Sequence, residues 1–175
     1  MVDGVFGNVS AGYDNTYFIE ASLRRDRSST LPSTGNKFVY PSLSGTMVFS
    51  EIINLDFLTF GKIRANYAEV GNDTNPYNVF SSYNLGDPFN GNGLASNPSA
   101  LNNTGLKAEI TKSTEFGIEA SLFDSRITLD ASIYKQTTED LLTPVNVSTA
   151  TGVSAKWLNA GSIENKGVEL MLSII

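Results

Sequence analysis

The stretch EFGIEASLFDSRITLDASIY, residues 115–134, decides the fold. Phe116, Ile118, Ala120 and Leu122 alternate with Glu115, Gly117, Glu119 and Ser121. After Asp124-Ser125 the period returns, with Ile127, Leu129, Ala131 and Ile133 set against Arg126, Thr128, Asp130 and Ser132. A period of two puts successive side chains on opposite faces of an extended strand, so this is a β-hairpin with one apolar and one polar face. The functional question is whether the apolar face touches a protein core or lipid.

The same pattern recurs on both sides of the hairpin. In 16–25, Tyr17, Ile19, Ala21 and Leu23 oppose Glu20, Ser22 and Arg24; in 39–50, Val39, Leu43, Met47 and Phe49 oppose Tyr40, Ser42, Ser44 and Thr46. In 61–70, Ile63, Ala65 and Tyr67 oppose Lys62, Arg64 and Asn66; in 166–175, Val168, Leu170, Leu172 and Ile174 oppose Glu169 and Ser173. Residues 5–12 form a weaker first strand, and no segment has a helical period. The expectation is an all-β chain of about seven antiparallel, up-and-down strands. Several runs hold their alternation for about 10 residues, the length of a tilted strand crossing a bilayer, whereas strands of soluble domains cluster near 5–6.

The connections separate lipid from core more sharply. Residues 12–16, 51–56 and 124–125 are short, whereas 27–37, 71–112 and 138–165 are long, and the two kinds alternate without exception. All short turns therefore fall at one end of the sheet and all long loops at the other, as in outer-membrane barrels with tight periplasmic turns and long extracellular loops. A soluble sandwich has no physical reason to obey that parity. The polar face carries Glu20, Arg24, Lys62, Arg64, Glu115, Glu119, Arg126 and Asp130, which a wet barrel lumen tolerates as readily as a solvated sheet face does. Pro41 cannot donate to a ladder and reads as a bulge in its strand.

Bulk composition narrows the function. A net charge of −6 leaves no basic stripe for nucleic acid. There is no Cys and no His, which removes the commonest thiol nucleophile and the commonest general base. Phosphate-binding, nucleophile-elbow and zinc-protease motifs are also missing, and Glu139-Asp140 reads as a solvated pair at a strand end. Catalysis is not expected, and neither is a cofactor or a metal. No run of 18 apolar residues exists, which excludes a transmembrane helix but not a barrel, whose strands are apolar only at every second position. MVDGVFGNVS does not read as a signal peptide.

Several stretches, in order, resemble the SusC/RagA-type TonB-dependent outer-membrane receptors, nutrient importers of Bacteroidetes. They are YFIEASLRRDRSS (17–29), YPSLS (40–44), GKIRANYAEVGND (61–73), LKAEITKSTEFGIEASLF (106–123), STATG (148–152) and NAGSIENKGVEL (159–170). One departure is Arg27, where the family commonly has Gly after Arg-Asp. The resemblance implies a transmembrane barrel of about 22 strands around a plug domain. Residues 1–175 then form part of that barrel domain, an internal piece without plug, in the outer membrane of a Gram-negative bacterium. It also implies partners: outer-membrane lipid, a SusD-like surface lipoprotein, the TonB complex acting through the plug, and a glycan or peptide ligand.

The long loop 71–105 is rich in Asn, Gly, Pro and Asp, with Tyr77, Phe80, Tyr83 and Phe89 interleaved. Rings that stack on a ligand beside amide hydrogen-bonders suit a sugar or peptide; the competing reading is a self-packed loop whose aromatics form a small core of their own. The candidate ligand-binding residues are Asn72, Asp73, Tyr77, Tyr83, Phe89 and Trp157. Asn72, Asp73 and Asp87 are explained more simply by turn chemistry than by calcium, and Trp157 suits the interfacial aromatic belt as well as ligand stacking. The run Arg24-Arg25-Asp26-Arg27 reads as a solvated strand end with local ion pairs, or as a contact for lipopolysaccharide phosphates or a lid partner. The alternative to a transport receptor is a soluble carbohydrate-binding or adhesion β-domain, in which the apolar faces pack on each other.

Overall fold

A computed structural model describes residues 1–175. In chain order the strands are β1 (Val2–Tyr13), β2 (Tyr17–Ser28), β3 (Lys37–Val48), β4 (Leu58–Asn72), β5 (Asn84–Phe89), β6 (Asn92–Ser96), β7 (Ala100–Leu101), β8 (Glu109–Leu122), β9 (Ile127–Glu139), β10 (Leu142–Asn146), β11 (Ala155–Asn159) and β12 (Ser162–Ile174). Seven of them form one sheet in the order β1-β2-β3-β4-β8-β9-β12, antiparallel throughout. These are the seven strands expected from the alternation, each 12 to 15 residues long. The five short strands lie inside the long connections, as the sheet β10-β11-β7 and the hairpin β5-β6.

The short turns follow from local chemistry. Asp14 and Asn15 close the β1–β2 hairpin with positive φ, 52° and 49°, a conformation that short polar side chains tolerate best. Between β3 and β4, a 3₁₀ turn over Phe49–Glu51 lays the Phe49 ring where a Cβ on Gly61 would stand, so only glycine fits there. Asn90-Gly91 joins β5 to β6, both at positive φ, as the right-handed twist of a two-residue hairpin loop requires.

The register carries the apolar pattern across the whole sheet. One outward row runs Ala11, Ile19, Gly45, Ala65, Phe116, Ile133 and Val168; the next runs Tyr13, Tyr17, Met47, Ile63, Ile118, Ala131 and Leu170. Lys62, Glu119 and Asp130 share the other face. Burial differs in the sense that a curved sheet gives, because side chains converge on a concave face and splay on a convex one. Ile19, Phe116 and Ile133 are 55, 55 and 54% exposed. Arg64 and Asp130, on the polar face, keep only 23 and 25% of their side-chain surface. No second sheet covers the apolar face, which a soluble sandwich would need. In water it would leave a continuous apolar patch; in a bilayer it is the lipid face.

Pro41 is not at a bulge. The β2–β3 register runs through it without a shift, with Pro41 opposite Leu23, and the β3–β4 ladder begins one residue later at Ser42 and Ala68. A residue with no N–H is accommodated at the end of a ladder rather than by an insertion. The one irregularity between main strands lies at Leu58/Phe60, beside the short turn that leads into β4.

Candidate functional site

The long connections 29–36, 73–108 and 140–161 meet at one end of the sheet and build a headpiece. Its centre is a small aliphatic core of Leu31, Val79, Leu106 and Ala108, with Leu106 fully buried and Phe38, Leu142 and Trp157 packed around it. Connection 29–36 contributes Leu31, 73–108 contributes Val79, Leu106 and Ala108, and 140–161 packs Leu142 and Trp157 against them, so burial ties the three to each other.

Side-chain amides then lock the connections in register. Asn159 receives a hydrogen bond from the Lys107 N–H on its Oδ1 (2.8 Å) and donates from Nδ2 to the carbonyls of Lys107 and Asp140 (both 2.9 Å). Asn103 Nδ2 donates to the Trp157 carbonyl at 3.1 Å, and Asn102 Nδ2 to those of Tyr77 and Phe80. Ser154 Oγ donates to the Ser99 carbonyl at 2.9 Å, beside the parallel pair β7–β11. Amides suit this task because each offers donors and an acceptor to backbone groups that no ladder satisfies.

The candidate residues divide between the locked base and its tip. Asp73 accepts hydrogen bonds from the hydroxyls of Ser28 and Thr30, so its carboxylate joins the end of β2 to the start of the longest connection. Asn72, the last residue of β4, donates from Nδ2 to Glu109 at 3.2 Å, and Glu109 also accepts the Leu142 N–H at 2.6 Å. Trp157 lies in β11 and packs on the headpiece core. It is therefore not a member of the interfacial belt on the main sheet. At the short-turn end of the main sheet Tyr13 and Tyr17 stand opposite each other on the outward face, a position that suits such a belt.

Tyr77, Phe80, Tyr83 and Phe89 stand out from the headpiece, 83, 70, 71 and 67% exposed. The self-packed reading of this loop fails on their burial, because its core is aliphatic and excludes the rings. Tyr83 precedes β5 and Phe89 ends it at the turn of the β5–β6 hairpin, with Asp87 in β5 between them. The missed signal was the lone aliphatics, Leu31, Val79 and Leu106, each in a stretch otherwise rich in polar and turn-forming residues.

Behind the headpiece the polar face of the sheet carries a linked set of charges. Arg64 reaches Asp130 with both terminal nitrogens (3.0 and 3.1 Å) and Glu115 with Nε (3.3 Å). Its guanidinium lies flat over Gly117, where an added Cβ would meet Arg64 Cζ at 2.6 Å. Lys62 pairs with Glu119 at 2.6 Å. A planar, bidentate cation held across three strands suits the wall of a polar lumen.

Comparison with known proteins places this geometry. Residues 2–174 match the family model described as TonB dependent receptor-like, beta-barrel. The chain is 33% identical to TonB-dependent receptor P39 of Formosa agariphila, over 98% of this chain and 17% of that protein. It is 27% identical to TonB-dependent receptor SusC of Bacteroides thetaiotaomicron, over 96% of this chain and 18% of that protein. It superimposes on the RagAB peptide importer in its closed-closed state with a TM-score of 0.90 at 25% identity, covering 98% of this chain and 19% of that one. The siderophore receptor PirA from Pseudomonas aeruginosa shares the fold alone, with a TM-score of 0.66 at 17% identity over 97% of this chain and 30% of that one. The chain thus spans less than a fifth of the length of the curated relatives it matches. It belongs to the TonB-dependent receptor β-barrel family, of the SusC/RagA type, and its seven long strands are wall of a barrel in the outer membrane of a Gram-negative bacterium.

Proposed function

We propose that this chain supplies barrel wall and extracellular loops to an importer that takes up a glycan or peptide. The observation that carries the reading is the division within the headpiece. A base locked by buried aliphatics and amide hydrogen bonds holds up a tip where four aromatic rings face solvent. Exposed rings beside amide donors favour the faces of sugars and the side chains and backbone of peptides, and loops on a rigid scaffold are where recognition sits. The same receptor would meet a SusD-like surface lipoprotein at this end. It would draw energy from the TonB complex through a plug that lies outside residues 1–175, all of which we assign to the barrel. The peptide importer among the structural neighbours and SusC among the relatives support this reading.

The test is removal of the β5–β6 hairpin, residues 84–96, from the full receptor, with a Gly-Ser bridge. Val79 and Leu106 must be spared because they anchor the base. Growth is measured on a panel of glycans and on a peptide digest as sole nutrient, with surface abundance followed in parallel. Loss of growth on the nutrient used by the wild type, at normal abundance, is expected. Wild-type growth would remove the hairpin from uptake. Orientation is checked separately by an epitope inserted at Gly91, which should be detected on intact cells.

A further inference from the structure

The outward face changes character toward the headpiece end, and it does so differently on the two sides of the sheet. On β4, β8, β9 and β12 the apolar rows give way to Glu69, Lys112, Lys135, Glu139, Glu164 and Lys166, which share that face by register. Here three cations meet three carboxylates. Lys112 pairs with Glu139 at 2.7 Å, and Glu164 takes Lys135 at 2.8 Å and Lys166 at 3.6 Å.

On β1, β2 and β3 the alternation splits the run Arg24-Arg25-Asp26-Arg27 between faces. Arg24 and Asp26 turn to the polar side and bond each other at 2.8 Å. Arg25 and Arg27 continue the outward row of Ile19, Ala21 and Leu23. Arg25 stands between Val5 and Val39, and Arg27 between Asp3 and Lys37. Asp3 alone faces these three cations, held by Arg27 at 3.2 Å, while Arg25 and Lys37 form no ion pair. All three cations are exposed around one cleft that Asp3, Gly4, Val5 and Asp26 also line, the Asp26 carboxylate being buried and held by Arg24. Immediately below it, the apolar row of Gly7, Leu23 and Pro41 begins the lipid face.

An uncompensated cluster at the upper edge of an apolar wall meets lipid headgroups, where a phosphate is the anion at hand. Two guanidiniums and an ammonium around one cleft match its oxygens. We propose that Arg25, Arg27 and Lys37 bind a phosphate group of an outer-leaflet lipid whose acyl chains lie on Val5, Leu23 and Val39. The balanced belt on β8, β9 and β12 has no such capacity, because its cations are already neutralised. The assignment to the outer leaflet rests on the headpiece being extracellular, which the Gly91 epitope tests on its own.

The experiment uses the purified full-length receptor and native mass spectrometry, with diphosphoryl lipid A and its dephosphorylated form as probes. Removing one cation near an anionic surface should lower occupancy by about fivefold. The variant Arg25→Gln/Arg27→Gln/Lys37→Gln should therefore lose nearly all bound diphosphoryl lipid A. The variant Lys112→Gln/Lys135→Gln/Lys166→Gln should keep it. Arg25→Lys/Arg27→Lys, which preserves charge but not the guanidinium fork, should retain more than the first variant and less than wild type, and this separates charge from geometry. The dephosphorylated lipid should not distinguish wild type from the first variant. Equal occupancy in wild type and the first variant would overturn the proposal, and so would equal loss in the two Gln variants. Displacement of the lipid by millimolar inorganic phosphate would show a free-anion site and overturn it as well.

Discussion

The seven-stranded wall and the headpiece are ordered by different means. In the wall each residue's cross-strand neighbours follow from its strand position, and the pattern repeats along strands of 12 to 15 residues. Its side chains need only respect a period of two, apolar to one side and polar to the other. In the headpiece no ladder is longer than six residues, and order comes from particular contacts between residues far apart in the chain. Asn159 with Lys107 and Asp73 with Ser28 are examples. Repetition makes the wall tolerant of any one loss that keeps the pattern. Specific contacts make the headpiece base intolerant and leave its tip free.

That difference can be broken deliberately. The largest effect is expected from Leu106→Ala in the headpiece. It removes a fully buried side chain from a four-residue core, at a cost of about 2–5 kcal/mol to the local fold. Limited proteolysis should cut within 73–108 far faster than in wild type, while the barrel still shows normal heat-modifiable mobility. Loss of barrel assembly would mean that the two regions are one cooperative unit.

In the wall the corresponding break is Ile118→Arg. A guanidinium at mid-height on the lipid face should cost about 2–4 kcal/mol, read as a lower urea midpoint of the full receptor in vesicles. Glu119→Arg, one residue along, should not bring this lipid-face penalty. Equal losses at the two positions would contradict the assignment of faces.

A smaller effect is expected from Gly117→Leu, which must push the Arg64 guanidinium off its seat and away from Asp130. Because that pair is solvated on the lumen side, stability should fall less than for Ile118→Arg, and high salt should mask part of the loss. A loss matching that of Ile118→Arg would mean that this face is dry. Smallest of all should be Lys135→Gln, which opens one exposed pair with Glu164 and should leave the urea midpoint within error. A clear shift there would show the outer belt to be a stabilising network rather than a neutral one.

The wall was legible in the sequence because its physics is periodic. Residues 115–134 alone display the period, the turn and the division of faces, and the short–long parity of the connections fixes which ends lie together. The headpiece was legible only as long loops. The segments NLGDPF and LTPVN, which form β5 and β10, each carry a proline and no alternation. AKWLN becomes β11 because partners at 142–146 and 100–101 come to it through the fold. Trp157 was misplaced for that reason, since an isolated aromatic carries no mark of what will bury it. Asp73 and Asn72 have short polar side chains suited to turns, yet their partners, Ser28, Thr30 and Glu109, stand 37 to 45 residues away. The four exposed rings were visible as rings, but their exposure depended on Leu31, Val79 and Leu106 taking the core. The cluster Arg25, Arg27 and Lys37 needed the register, because only pairing shows that Lys37 stands beside Arg27 on the outward face.

The central claim is that the apolar face of the wall meets lipid and the polar face meets the lumen. It is tested most directly by spin labels at Ile118→Cys and Glu119→Cys in the full receptor in bilayers, compared for collision with dissolved oxygen and with a water-soluble nickel chelate. The label at 118 should be reached by oxygen and shielded from nickel, and the label at 119 should show the opposite preference. The reverse pattern would place lipid on the charged face and contradict the account.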